Sequence, residues 1–266
     1  MIALMLGVID VMHTVLLRGS RDLLIKSILF ALTLLTAAYF HNVRPEANAL
    51  TQFNLTRAIV EDGTLRIDRL HENTIDKALI DGHFYCDKGP INAFLGVPVH
   101  ALYRWVTGTP DNTLVDLPAI YVTTTFVTGT SAAVLVVLLY VAFRRRDVPK
   151  LRAALGAFIW FAATPMLGYS TVFYQYLPAC AMIMAGFLYV AEAWHPEAPV
   201  SPMRIFVGCL LLGLAVWTLN TVGLTAVLMT LPLLAAGSMA MRESGGAAVE
   251  FRRRILPWVL GGLLGS

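Results

Sequence analysis

Asp76, Lys77, His83, Tyr85, Asp87 and Lys88 crowd one short polar stretch of an otherwise apolar chain. Asp81-Gly82, between two alternating segments, is a strong two-residue hairpin signal. A turn there pairs Ile80 with His83, Ala78 with Tyr85, and Asp76 with Asp87. Side chains alternate along strands, so Asp76, Ala78, Ile80, His83, Tyr85 and Asp87 share one face. Two carboxylates directly opposite each other repel. A cation, a shared proton or a flanking lysine must offset that, and Lys77 and Lys88 stand beside the pair. A divalent metal held by Asp76 and Asp87 is one form the cation could take. Gly89-Pro90 then opens a helix carrying Ile91, Phe94, Leu95, Leu102 and Trp105. The free N–H groups and positive end of that helix lie next to Lys88, a ready place for a phosphate at a membrane surface. Two bland readings stay open beside this one. The Asp and Lys residues could form only a loop-pinning ion network, and an exposed hairpin histidine needs no role.

The elements that must position these residues follow from composition. The chain has 266 residues, of which 57% are hydrophobic and 14% charged, against about 25% charged in an ordinary soluble domain. That excludes a disordered chain, a disulfide-stapled scaffold and a simple soluble enzyme, and leaves an all-α polytopic membrane protein. The net charge of +3 is too small and scattered for nucleic-acid binding. Residues 22–40 and 117–143 give one span each. The charge-free run 153–191 is too long for one span and is read as a pair turning near Pro178 and the aromatics Tyr169, Phe173, Tyr174 and Tyr176. Residues 205–241 give another pair, breaking at Trp217, Thr218, Asn220 and Thr221. The apolar segment 1–21 is an extra span or an interfacial helix, and 255–266 reads as the start of a truncated span. Four parts result: 1–21, the span 22–40, an outer loop 41–110, and about five further helices over 111–266. Cys86, Cys180 and Cys209 are single thiols with no disulfide framework. Asn54-Leu55-Thr56 is a glycosylation sequon that matters only in a eukaryote.

Orientation comes from lysine and arginine. With alternating spans, Arg18, Arg21, Lys26, Arg144, Arg145, Arg146, Lys150, Arg152, Arg204, Arg242, Arg252, Arg253 and Arg254 all fall on the cytoplasmic side. Eight of the 17 acids fall in the outer loop 41–93. Within it, Pro45-Glu46 reads as a helix start and Gly63 as its stop. Leu50, Phe53, Ile59 and Val60 give that helix a partly apolar face, so it is expected to lie on the membrane surface.

Four stretches carry a resemblance: LTRAIVEDGTLRID at 55–68, NTIDKALIDGHFYCDKGP at 73–90, FLGVPVHALY at 94–103 and ATPMLGYSTVFYQYLPA at 163–179. With the order of spans, they resemble bacterial membrane glycosyltransferases of the GT-C fold, the polyprenyl-phosphate-sugar-dependent enzymes related to aminoarabinose transferases and protein O-mannosyltransferases. The resemblance implies an acid early in the first outer loop as catalytic base, for which Glu46 is the nearest match. It also implies that Asp87 and Lys88 face the carrier phosphate or a divalent metal. Relatives often have Gly-His where this chain has Gln175-Tyr176, and an acid and a proline near Leu219, Asn220 and Thr221. The expected function is transfer of a sugar from a polyprenyl phosphate to a lipid, glycan or protein acceptor at the outer face of a bacterial inner membrane. Glu46 and Asp87 would be catalytic, and Lys88, Asp76, Lys77, Tyr85 and His83 would bind substrate. The rival class is a non-catalytic lipid-binding scaffold or a transporter. Transporters usually carry ionisable or helix-breaking residues at mid-membrane, and these spans are nearly free of charge.

Overall fold

The computed structural model describes residues 20–108, 113–193 and 202–219. The expectations for 1–17, for the second half of 205–241 and for 255–266 lie outside them. The described chain is mostly helical with one two-stranded sheet. Its described residues divide into two compact units, one up to residue 178 and one from 179 onward.

In the first unit, α1 (Ser20–Tyr39) leads to α2 (Ala47–Arg57), which runs into a π-helical turn at Ala58–Asp62. Gly63 ends that turn in the left-handed region at φ 65°, the stop expected from the sequence. The hairpin β1 (Ala78–Ile80) and β2 (His83–Tyr85) follows. Next come α3 (Ile91–Thr107) and the continuous helical stretch α4 (Leu117–Thr124), a π-turn (Thr125–Gly129) and α5 (Thr130–Arg144). Then α6 (Lys150–Ala162) and the short α7 (Met166–Ser170) complete it. The second unit holds most of α8 (Tyr176–Ala193) and α9 (Pro202–Thr218). Those two pack closely: a Cβ on Gly186 would lie 2.7 Å from the Gly208 carbonyl oxygen.

Two stretches, Arg21–Tyr39 and Leu117–Arg144, are long and apolar enough to cross a membrane. They run antiparallel. Tyr140 donates a hydrogen bond to Asp22 at one end, and the His41 and Tyr121 rings meet at the other. Arg21, Lys26, Arg144, Arg145, Arg146 and Lys150 therefore gather at one end, and residues 41–116 at the opposite end. Burial is inverted relative to a water-soluble bundle. On α1, Asp22, Lys26 and Thr33 are buried while Leu24, Ile28, Leu32 and Leu35 are exposed. On α3, Asn92 and His100 are buried while Leu102, Trp105 and Val106 are exposed, Trp105 to 81%. Contiguous exposed apolar surface of this kind marks a face made for another apolar phase.

Two sequence expectations about these elements fail. The helix 45–63 does not lie on a surface: every residue from Ala49 to Ala58 is buried. The reason is that several of its polar side chains find partners elsewhere in the fold. Thr56 donates to the Ala93 carbonyl, Asn54 to Leu70, and Arg57 to Thr113 and Glu61. Close approach of α3 makes this possible, because Gly96 leaves room where a Cβ would lie 2.9 Å from Thr56 Oγ1 and 3.0 Å from Phe173. The second concerns the turn in 153–191, and only in part. The break spans residues 163–175 and takes in Tyr169, Phe173 and Tyr174 as expected, but Pro178 sits within the first turn of α8, where its missing N–H costs nothing. Pro165 disfavours helix at Thr164 and so ends α6 early. At 13 residues, α6 is roughly 20 Å long and does not reach across a ~30 Å hydrocarbon core.

Candidate functional site

The hairpin has the expected register: Ala78 opposite Tyr85, Leu79 opposite Phe84 and Ile80 opposite His83. Asp81 and Gly82 both have positive φ, 50° and 80°, as a type I′ turn requires. Just past the strand ends, Asp76 and Asp87 approach each other, and Lys88 lies between them. Its Nζ is 3.3 Å from Asp76 and 2.9 Å from Asp87. Of the three ways to offset the facing carboxylates, the structure shows the flanking lysine. Burial opposes the charge on Lys88, but the hydrogen bonds from its ammonium to Asp87 and Asp76 outweigh it and raise its pKa. Helix α3 starts three residues beyond, after Pro90, with no side chain capping its first N–H groups.

Lys77 and His83 do not join this group. Lys77 points from the other face of β1, as alternation along a strand dictates. Its Nζ donates to the His71 carbonyl at 2.6 Å and lies over the Phe84 ring. His83 pairs with Asp68 at 2.8 Å near the exposed hairpin turn. The Phe84 N–H and His83 together hold the Asp68 carboxyl below its usual value. Tyr85 is half-buried on β2, with its backbone bridged to Arg66.

Glu46 does join it, through a residue that local spacing did not single out. Glu46 is the N-cap of α2 but caps nothing with its side chain. Its carboxylate instead accepts a hydrogen bond from the Tyr174 hydroxyl. Burial and the neighbouring Glu46 push the Tyr174 hydroxyl above its ordinary range, and the charge of Asp76 acts in the same direction. Tyr174 is thus bonded to Glu46 and also feels the charge of Asp76. Beneath them runs a buried chain of amides: Asn92 donates to Gln52 at 2.8 Å, and Gln52 donates to Gln175 and to Asn48, each at 2.5 Å. Gln175, one of the departures from the GT-C pattern, is therefore bound into the centre of this chain's own site. The signal for this network was present in α2. Asn48, Thr51, Gln52, Asn54, Thr56 and Arg57 put polar groups on every side of that helix, and a buried helix of that kind must find polar partners.

Cys86 is half-buried beside the group, and burial pushes its thiol up. Among the described residues, no cluster of three or more His, Cys, Asp or Glu side chains could hold a metal ion. Lys88 offsets one of the two facing negative charges, and the start of α3 follows it in the chain.

A second polar centre supports the first. Glu61, only 8% exposed, accepts from Arg57 at 3.1 Å, Arg69 at 2.5 Å, His100 at 2.8 Å and Arg104 at 2.7 Å. Arg104 also reaches Asp116 at 3.0 Å. Burial alone would raise the Glu61 carboxyl, but the donors from His100, Arg57, Arg104 and Arg69 hold it far below the usual carboxylate range. This hub ties α2 to α3 and to the start of α4, and so fixes the frame on which Glu46, Asn92 and Lys88 are mounted. No family model, curated protein or solved structure matches this chain.

Proposed function

We propose that the protein is a multi-pass membrane glycosyltransferase that moves a sugar from a polyprenyl phosphate to an acceptor at the outer face of a bacterial cytoplasmic membrane. The observation that carries this reading is Lys88, held between Asp76 and Asp87 before the uncapped start of α3, together with the exposed Glu46 carboxylate that accepts from Tyr174. The inverted burial of α1 and α3 supports a lipid surround, and the basic end opposite the polar unit supports its orientation.

In this reading Glu46 takes the proton from the acceptor hydroxyl as that oxygen attacks the anomeric carbon. The bond from that carbon to the lipid phosphate breaks, and the phosphate leaves with the electron pair. Lys88 and the first N–H groups of α3 stabilise the charge that develops on it. Asp87 and Asp76 hold Lys88 in position. A sugar on a lipid carrier suits the outer face, where nucleotide sugars are normally absent.

Lys88→Gln tests the reading. Expression should stay intact, and donor binding should weaken by about 1–3 kcal/mol, the scale of a charged hydrogen bond. A simple interfacial anchor would behave differently, lowering the amount of protein in the membrane and leaving turnover per molecule unchanged. Unchanged donor affinity and turnover in well-expressed Lys88→Gln removes Lys88 from the site.

Orientation has its own test. Ile75 is 87% exposed on the polar unit. Ile75→Cys, with the three native cysteines replaced by alanine, should react with a membrane-impermeant maleimide on intact cells. Labelling only after lysis would reverse the topology.

A further inference from the structure

The chain from α7 to the start of α8 brings three tyrosine rings together, one of which, Tyr174, donates to Glu46. Tyr169 and Tyr176 have ring centroids 5.0 Å apart, Tyr174 and Tyr176 5.7 Å, and Tyr169 and Tyr174 6.4 Å. Their planes are inclined to one another by 56°, 83° and 44°, so the rings form a cup rather than a stack. Burial alternates along the strand-like stretch between the helices: Phe173, Gln175 and Leu177 are buried while Tyr174 and Tyr176 are only partly so. Tyr169 remains 36% exposed. Interfacial tyrosines commonly form a belt at headgroup depth, but a belt explains neither the Tyr174–Glu46 hydrogen bond nor what lies beneath. Gln175, between Tyr174 and Tyr176 in the chain, is itself buried and accepts from Gln52, which accepts in turn from Asn92.

The geometry points to a sugar-binding subsite formed by Tyr169, Tyr174 and Tyr176 with Glu46 at its edge. The apolar C–H face of a pyranose rests on the tyrosine rings, while its hydroxyls donate to the exposed Glu46 carboxylate. Aromatic faces supply the contact area and the polar groups supply orientation, the usual division in a small-molecule site. The subsite rests on the lipid-phosphate reading, since Lys88 adjoins it and would hold the phosphate that carries the sugar.

Binding of citronellyl phosphate, alone and bearing glucose, mannose, galactose or N-acetylglucosamine, to the solubilised protein separates the two ideas. At least one sugar-bearing probe should bind about 2- to 10-fold more tightly than citronellyl phosphate, the range expected for an aromatic contact. Tyr169→Ala and Tyr176→Ala should abolish that preference and leave affinity for citronellyl phosphate itself unchanged. Tyr169→Phe and Tyr176→Phe, which keep the rings, should retain it. Lys88→Gln should weaken all probes alike. Binding of every probe with equal affinity, or a preference that survives both alanine variants, overturns the subsite while the lipid-phosphate reading stands. No binding of any probe to the unaltered protein overturns both.

Discussion

Glu61→Ala is expected to cost about 3–5 kcal/mol of folding stability, the usual penalty for breaking a buried ion pair from one side. Arg57 and His100 are fully buried and Arg104 nearly so. Without the carboxylate, Arg57 and His100 lose their shared acceptor inside the fold and Arg104 keeps Asp116. The loss should appear as a large fall in the thermal midpoint of the purified protein, or as failure to accumulate. The pH dependence has a definite sign. The folded Glu61 carboxyl titrates below its ordinary value, so its contribution is fully present above the unfolded value of about 4.3. It declines as the pH falls from there through the lowered folded value. Stability from this group is therefore flat from neutral pH down to about 5. A Glu61→Ala protein as heat-stable as the parent would show that the hub is not what fixes α2 against α3.

Glu46→Gln is expected to lower turnover by about 10²- to 10⁴-fold, the scale of a lost general base, with folding unaffected. Glu46 is exposed and its side chain caps no helix, so the isosteric amide removes little that supports the structure. Tyr174→Phe removes the hydroxyl that donates to Glu46 without removing the base, and its effect on turnover should be smaller. Transfer should be measured on the complete gene product, with thermal unfolding followed in parallel. Full turnover in well-folded Glu46→Gln would transfer the role of base to another group and leave Glu46 as a partner for Tyr174.

Much of this protein is local and was therefore readable in one dimension. Asp81-Gly82 dictates a turn because few residue pairs accept two consecutive positive φ angles, and the turn then fixes the register that brings Asp76 toward Asp87. Gly63 stops a helix for the same kind of reason. The helical stretches Arg21–Tyr39 and Leu117–Arg144 follow from long runs of apolar residues, and the basic ends follow from charge counting. The tertiary structure decided what depends on pairing across the chain. Glu46 meets Tyr174 over a separation of 128 residues, and no periodicity encodes that contact. The two lysines look alike in sequence, and alternation alone would put both on the Phe84 face; Lys77 does lie on Phe84, while Lys88, past the end of β2, bridges the carboxylates. Helix α2 carries enough apolar residues to suggest a surface helix. Only the assembled fold supplies the carbonyl, amide and carboxylate partners from α3 and the surrounding loops that let Gln52, Asn54, Thr56 and Arg57 be buried at all, because a buried polar group is tolerated only where another segment brings its hydrogen-bond partner.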